Sequence, residues 1–78
     1  MKHVYLLKTD FLTDKDDPMS YYLSTVDGVY SSEMKVKARI EARSALYGKV
    51  HKREPNALTL ISKTNQVVRI YYVKEPVL

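Results

Sequence analysis

The sequence predicts an α+β domain: a small antiparallel sheet of about four strands with one helix packed on it, in the order β-β-(short β)-α-β-β. Three observations lead there. Glu33 to Tyr47 is an unbroken run of helix formers with neither Gly nor Pro. The segments on either side are short and rich in Val, Ile, Leu and Tyr, as strands are. A chain of 78 residues has room for one core, so 1–78 reads as a single domain.

The elements follow in order. His3-Val4-Tyr5-Leu6-Leu7 carries large apolar groups on both parities, which suits a strand over about residues 2–9 covered on much of both faces. Asp10 to Pro18 gathers turn formers and like charges, and it reads as an exposed acidic loop. Strand character resumes at Met19, and Val26-Asp27-Gly28-Val29 holds the residue pair favoured where both turn positions need positive φ. A hairpin is expected there, with Val29-Tyr30 as its short returning arm. Ser31-Ser32-Glu33 then offers a helix cap and an acid at the positive end of the helix dipole. Gly48 stands where a left-handed C-cap would end the helix. His51 to Asn56 is polar and contains Pro55, which reads as a connection. A second hairpin closes the fold: Ala57 to Lys63, a turn at Thr64-Asn65-Gln66, then Val67 to Val73. The tail, residues 75–78, is expected to fray.

Composition excludes several function classes. Apolar residues make up 45% and charged residues 28%, a globular balance. With two glycines there is no Gly-rich cradle for phosphates, and with no cysteine there are no disulfides, thiolate metal sites or Cys nucleophiles. No stretch is apolar for long enough to span a bilayer, and Lys8 and Asp10 interrupt the N-terminus before a secretory core could form. The expectation is a cytoplasmic protein without a membrane partner. Asp14-Lys15-Asp16-Asp17 is not a calcium loop of the EF-hand type, because the glycine and final glutamate positions fall on Met19 and Thr25. His3 and His51 are 48 positions apart without a zinc motif, and no serine sits in a nucleophile elbow. No cofactor, metal, small-molecule substrate or enzymatic activity is expected.

Charge is unevenly distributed. Residues 1–30 hold three lysines against five aspartates, a net −2. Residues 31–78 hold ten Lys or Arg against four Glu, a net +6, and seven of those cations fall between Lys35 and Arg53. On a helical wheel Val36, Ile40, Tyr47 and Val50 form one arc, which should face the sheet. Met34, Ala38, Ala42, Ala45 and Leu46 form a second arc of smaller volume, which is either ordinary helix surface or the close-approach face for a partner. Between the arcs, Lys35, Arg39 and Arg43 stack at i,i+4 spacing. They could grip phosphates, or lay their stems over the core edge with their charges in water.

Seven tyrosines accompany a single Phe and no Trp. Arg69, Tyr71 and Val73 share one face of the last strand and are candidates for contact if that face is open.

These features point to a non-catalytic interaction module that docks onto another protein and self-associates through the alanine arc or an edge strand, with Met34, Ala38, Ala42, Ala45, Arg69 and Tyr71 at the interface. The alternative is nucleic-acid binding through Lys35, Arg39, Arg43, Lys49, Lys52 and Arg53. The partner is accordingly another protein, a second copy of this chain, or nucleic acid.

Overall fold

The computed structural model describes residues 2–77. The chain runs β1 (His3–Leu12), β2 (Tyr21–Tyr30), α1 (Glu33–Tyr47), β3 (Lys49–Glu54), β4 (Ala57–Ile61) and β5 (Val67–Pro76). The α+β class is as read from sequence, but the sheet has five strands, in the spatial order β2-β1-β5-β4-β3, all neighbours antiparallel. The order along the chain is therefore β-β-α-β-β-β.

Two misreadings account for the difference. Val26 to Val29 is no hairpin turn: β2 passes straight through it, and Leu7 and Lys8 of β1 face Gly28 and Val26, so Asp27 is the extra residue of a β-bulge. Gly28 does not use positive φ. The polar segment after the helix, in turn, is an edge strand. Lys49 to Glu54 pairs with β4, with its own irregularity at His51, and turns back through Pro55-Asn56. Charged residues suit an edge whose outer side meets water.

The centre of the sheet is the pair β1–β5, in continuous register from His3↔Pro76 to Leu12↔Val67. Two boundaries move as a result. Asp10, Phe11 and Leu12 belong to β1 rather than to an exposed loop, with Asp10 and Leu12 buried. Glu75 and Pro76, expected in a fraying tail, pair with Val4 and His3, and the Val77 N–H donates to the Lys2 carbonyl at 2.9 Å. Leu78 lies outside the described residues.

α1 joins the two edge strands, which run parallel to each other and so need a crossover. Its length matches the width to be crossed, since fifteen residues span about 22 Å and five strands about 19 Å. Ser32 caps it, accepting from the Lys35 N–H at 3.2 Å, as the Ser-Ser-Glu sequence implies. At the other end Gly48 adopts φ 139°, ψ −147°, which feeds the chain directly into β3 instead of closing a left-handed cap.

Val36 and Ile40 are the buried helix residues, and they meet Leu7, Leu58, Leu60, Val68, Ile70 and Tyr72 from the sheet. Tyr5, Phe11, Tyr30 and Tyr47 close the rim of this cluster. Val50, placed on the helical arc by the wheel, stands in β3 and is 44% exposed. Burying these side chains at about 25 cal/mol per Å² is the main force holding helix to sheet.

Candidate functional site

Strand alternation and register divide the sheet into a face under α1 and an open face. On the open face Lys8 of β1 stands beside Val26 and Tyr71, and Asp10 beside Ser24 and Arg69, with Thr59 next to Arg69. The nearer row is apolar: Leu6 lies between Val29 and Val73. Lower down, the 13–20 loop folds against this face, where Leu12, Lys15, Asp16, Pro18, Lys52, Glu54, Thr59 and Arg69 enclose a small gap. The loop is self-braced: Ser20 Oγ donates to the Asp17 carbonyl at 2.6 Å, and the Asp14 and Asp17 carboxylates accept from the Asp16 and Met19 N–H groups.

Arg69 is mostly buried there. Its guanidinium lies 4.5 Å from the Tyr71 ring centroid and 3.5 Å from Glu54 Oε2, while Nε has no hydrogen-bond partner. Lys8 Nζ also stands over this ring, 5.7 Å from its centroid. Tyr71 thus has two cations against it and is half-buried rather than fully presented.

At the far edge of the sheet, His51 Nε2 of β3 lies 3.1 Å from Asp16 Oδ1, fastening the loop to the edge strand. The hydrogen bond with His51, followed by that from Lys15, holds the Asp16 carboxyl below its ordinary value. Lys15 is shifted up for the reciprocal reason, and Lys37 is raised by its hydrogen bond to Glu33.

The six cations proposed for phosphate binding do not converge. Lys35 and Arg39 are exposed on the outer side of α1, and Lys49 is exposed at the start of β3. None of these three has a carboxylate within 4.0 Å among the described residues. The other three are engaged. Arg43 is drawn inward to Asp27 Oδ2 at 3.7 Å and donates to the Tyr47 hydroxyl at 3.0 Å. Lys52 lies 3.6 Å from Glu54 on the open face, and Arg53 pairs with Glu41 across the helix–β3 groove. The intended i,i+4 ridge therefore loses its last member to a β2 carboxylate.

The proposed interface residues also separate. Met34, Ala38, Ala42 and Ala45 are on the outer side of α1, whereas Arg69 and Tyr71 lie on the opposite face of the molecule. Met34 and Leu46, at 81% and 80% exposure, bracket the alanines.

One surface was missed by sequence reasoning. β2 is an edge strand, and its Tyr21, Tyr22, Leu23, Val26 and Val29 are exposed by between 48% and 62%. Its one charge, Asp27, is turned inward, accepting from the Thr9 hydroxyl and from Thr25 Oγ1 at 3.2 Å. The signal was available: ten residues from Tyr21 to Tyr30 contain a single charged side chain. β3, the other edge, carries Lys49, His51, Lys52, Arg53 and Glu54 in six residues.

Shallow grooves complete the surface. One of about 220 Å³ lies between the helix and the β3–β4 turn, lined by Lys37, Glu41, Arg53, Asn56 and Tyr72 among others. A wider one, about 650 Å³, runs beside Gly48, Val50 and Ile61 with Lys49 and Lys63 at its rim. Among the described residues no three His, Asp or Glu side chains gather as metal ligands, and no helix is long and apolar enough to cross a membrane. Compared with family models, with curated proteins and with solved structures, the chain matches none.

Proposed function

We propose that this chain is a non-catalytic module that docks onto another protein, with β2 as its contact strand. The observation that carries this reading is the β2 edge: a ten-residue strand with no strand neighbour on its outer side, five large apolar or phenolic side chains half out in water, and no outward charge. Such an edge is a template for pairing with an extended segment of a second chain. Main-chain hydrogen bonds would supply affinity, and the alternating side chains would supply selectivity.

Nucleic-acid binding is the second reading, favoured by Lys35, Arg39 and Lys49, which are exposed and free of carboxylates within 4.0 Å among the described residues. Hydrogen exchange separates the two. Adding nuclease-treated lysate from the source cell should slow the amides of residues 21–30, whereas random-sequence DNA should leave them unchanged. Protection confined to residues around Lys35 and Arg39 on adding DNA, with DNA binding lost steeply as salt rises, would instead establish the second reading. Lack of protection in β2 under every condition would refute the first.

A further inference from the structure

We infer that the occupant of the β2 edge is β2 of a second copy of this chain, paired antiparallel across a two-fold axis to make one ten-stranded sheet with both helices on the same face. This rests on the docking reading and makes it specific.

The asymmetry of the two edges carries the argument. β3 is defended by Lys49, Lys52 and Arg53 and by the irregularity at His51, so another chain cannot add there without burying or apposing charge. A chain with two open edges would build filaments head to tail. One open and one defended edge leaves only the self-complementary pairing, which closes at two copies.

Charge agrees with that geometry. Two copies at +4 each repel overall, yet β2 contributes no outward charge because Asp27 is held by Thr9, Thr25 and Arg43. The cations of β3 lie four strand spacings away, about 19 Å, beyond the screening length of about 8 Å in physiological salt. The copies thus meet on the side away from the β3 cations, with Lys8 of β1, beside Val26, one strand from the seam.

The strand also dictates where they meet. Irregularities at Asp27 and at Tyr22 leave Leu23-Ser24-Thr25-Val26 as the flat run, in unbroken register with Phe11 to Lys8 of β1. An axis through this run places small hydroxylated residues at its centre, with Leu23 and Val26 on either side. The five exposed side chains offer on the order of 500 Å² per copy, toward the low end of specific interfaces, so the dimer should be weak and concentration-dependent.

Sedimentation equilibrium of the full chain from about 10 μM to about 1 mM tests this directly. The expected result is a monomer–dimer equilibrium that tightens slightly as salt screens the net charge. With Thr25 on the axis, Val26→Lys sets two ammonium groups diagonally across it, about 8 Å apart, and should weaken the dimer several-fold, with an unchanged circular dichroism spectrum. Changing Met34 and Leu46 together to lysine on the outer helix should leave the dimer intact. A strict monomer at the highest concentration, a dimer indifferent to Val26→Lys, or one abolished by the Met34 and Leu46 changes would each overturn the inference. A strict monomer whose β2 amides are nonetheless protected by lysate removes self-pairing alone, and docking stands. If those amides are never protected, both fall.

Discussion

Arg43, on the helix, reaches across to Asp27, the bulge residue of β2, with 3.7 Å between guanidinium and carboxylate. Both side chains are about four-fifths buried, and the same carboxylate accepts from the hydroxyls of Thr9 and Thr25. The contact ties the helix to an edge strand and clears that edge of charge. Replacing Asp27 by Ala should strand the buried Thr9 hydroxyl and the Arg43 guanidinium, and destabilise the fold by about 1–3 kcal/mol. Urea unfolding measures this. In a double-mutant cycle with Arg43→Ala the two losses should fail to add, and strict additivity would show that the pair is not coupled.

The two glycines should respond differently to alanine. At Gly48, φ is 139° and a Cβ would lie 2.3 Å from the Ile61 carbonyl oxygen, a backbone atom with nowhere to go. Gly48→Ala should cost on the order of 2 kcal/mol or more. At Gly28 a Cβ would meet Tyr30 Cε2 at 3.0 Å, and that ring can tilt away. Gly28→Ala should be near neutral, within about 0.5 kcal/mol, because the position does not need positive φ. A large loss at Gly28 would mean that the bulge is less tolerant than its geometry implies.

How far the fold could be read from sequence depends on what each signal measures. The helix was legible from Ser32 to Gly48 because propensity, cap and apolar spacing agree there. The turn at Asn65 was legible for a similar reason, since its φ of 63° is one that asparagine tolerates. Asp27-Gly28 misled because a bulge and a hairpin turn recruit the same residue types, and only the partner strand decides between them. β3 reads as a loop because a polar edge strand has no inward face strong enough to show period two. The site was less legible still. The Lys35–Arg39–Arg43 spacing is real, but a carboxylate from a distant strand claims Arg43, and no local pattern in the sequence reports that pairing.

The helix is held to the sheet by two buried side chains, Val36 and Ile40, so they should dominate its stability. Ile40→Ala, losing contacts with the sheet cluster around Leu60 and Ile70, should cost about 2–5 kcal/mol. Leu46→Ala, at a side chain 80% exposed, should change stability by less than about 0.5 kcal/mol. Thermal or urea unfolding checks both, and comparable losses at the two sites would contradict the assignment of the inner and outer helix faces.

The last prediction concerns pH and the fastening of the 13–20 loop. The hydrogen bond with His51, and next that from Lys15, lowers the folded-state Asp16 pKa relative to the unfolded chain. A depressed acid stabilises the folded form above its unfolded pKa of about 3.9, and that contribution fades as pH falls through the folded value. The loop should therefore be tethered to β3 at neutral pH and released only below about pH 4 on the Asp16 account. Carboxyl carbon shifts followed by NMR should give Asp16 a midpoint below that of the same residue in a peptide of residues 14–18. His51→Ala should move the midpoint up, though Lys15 will keep part of the depression. A midpoint equal to the peptide's, or unmoved by His51→Ala, would mean that His51 and Asp16 do not hold the loop in solution.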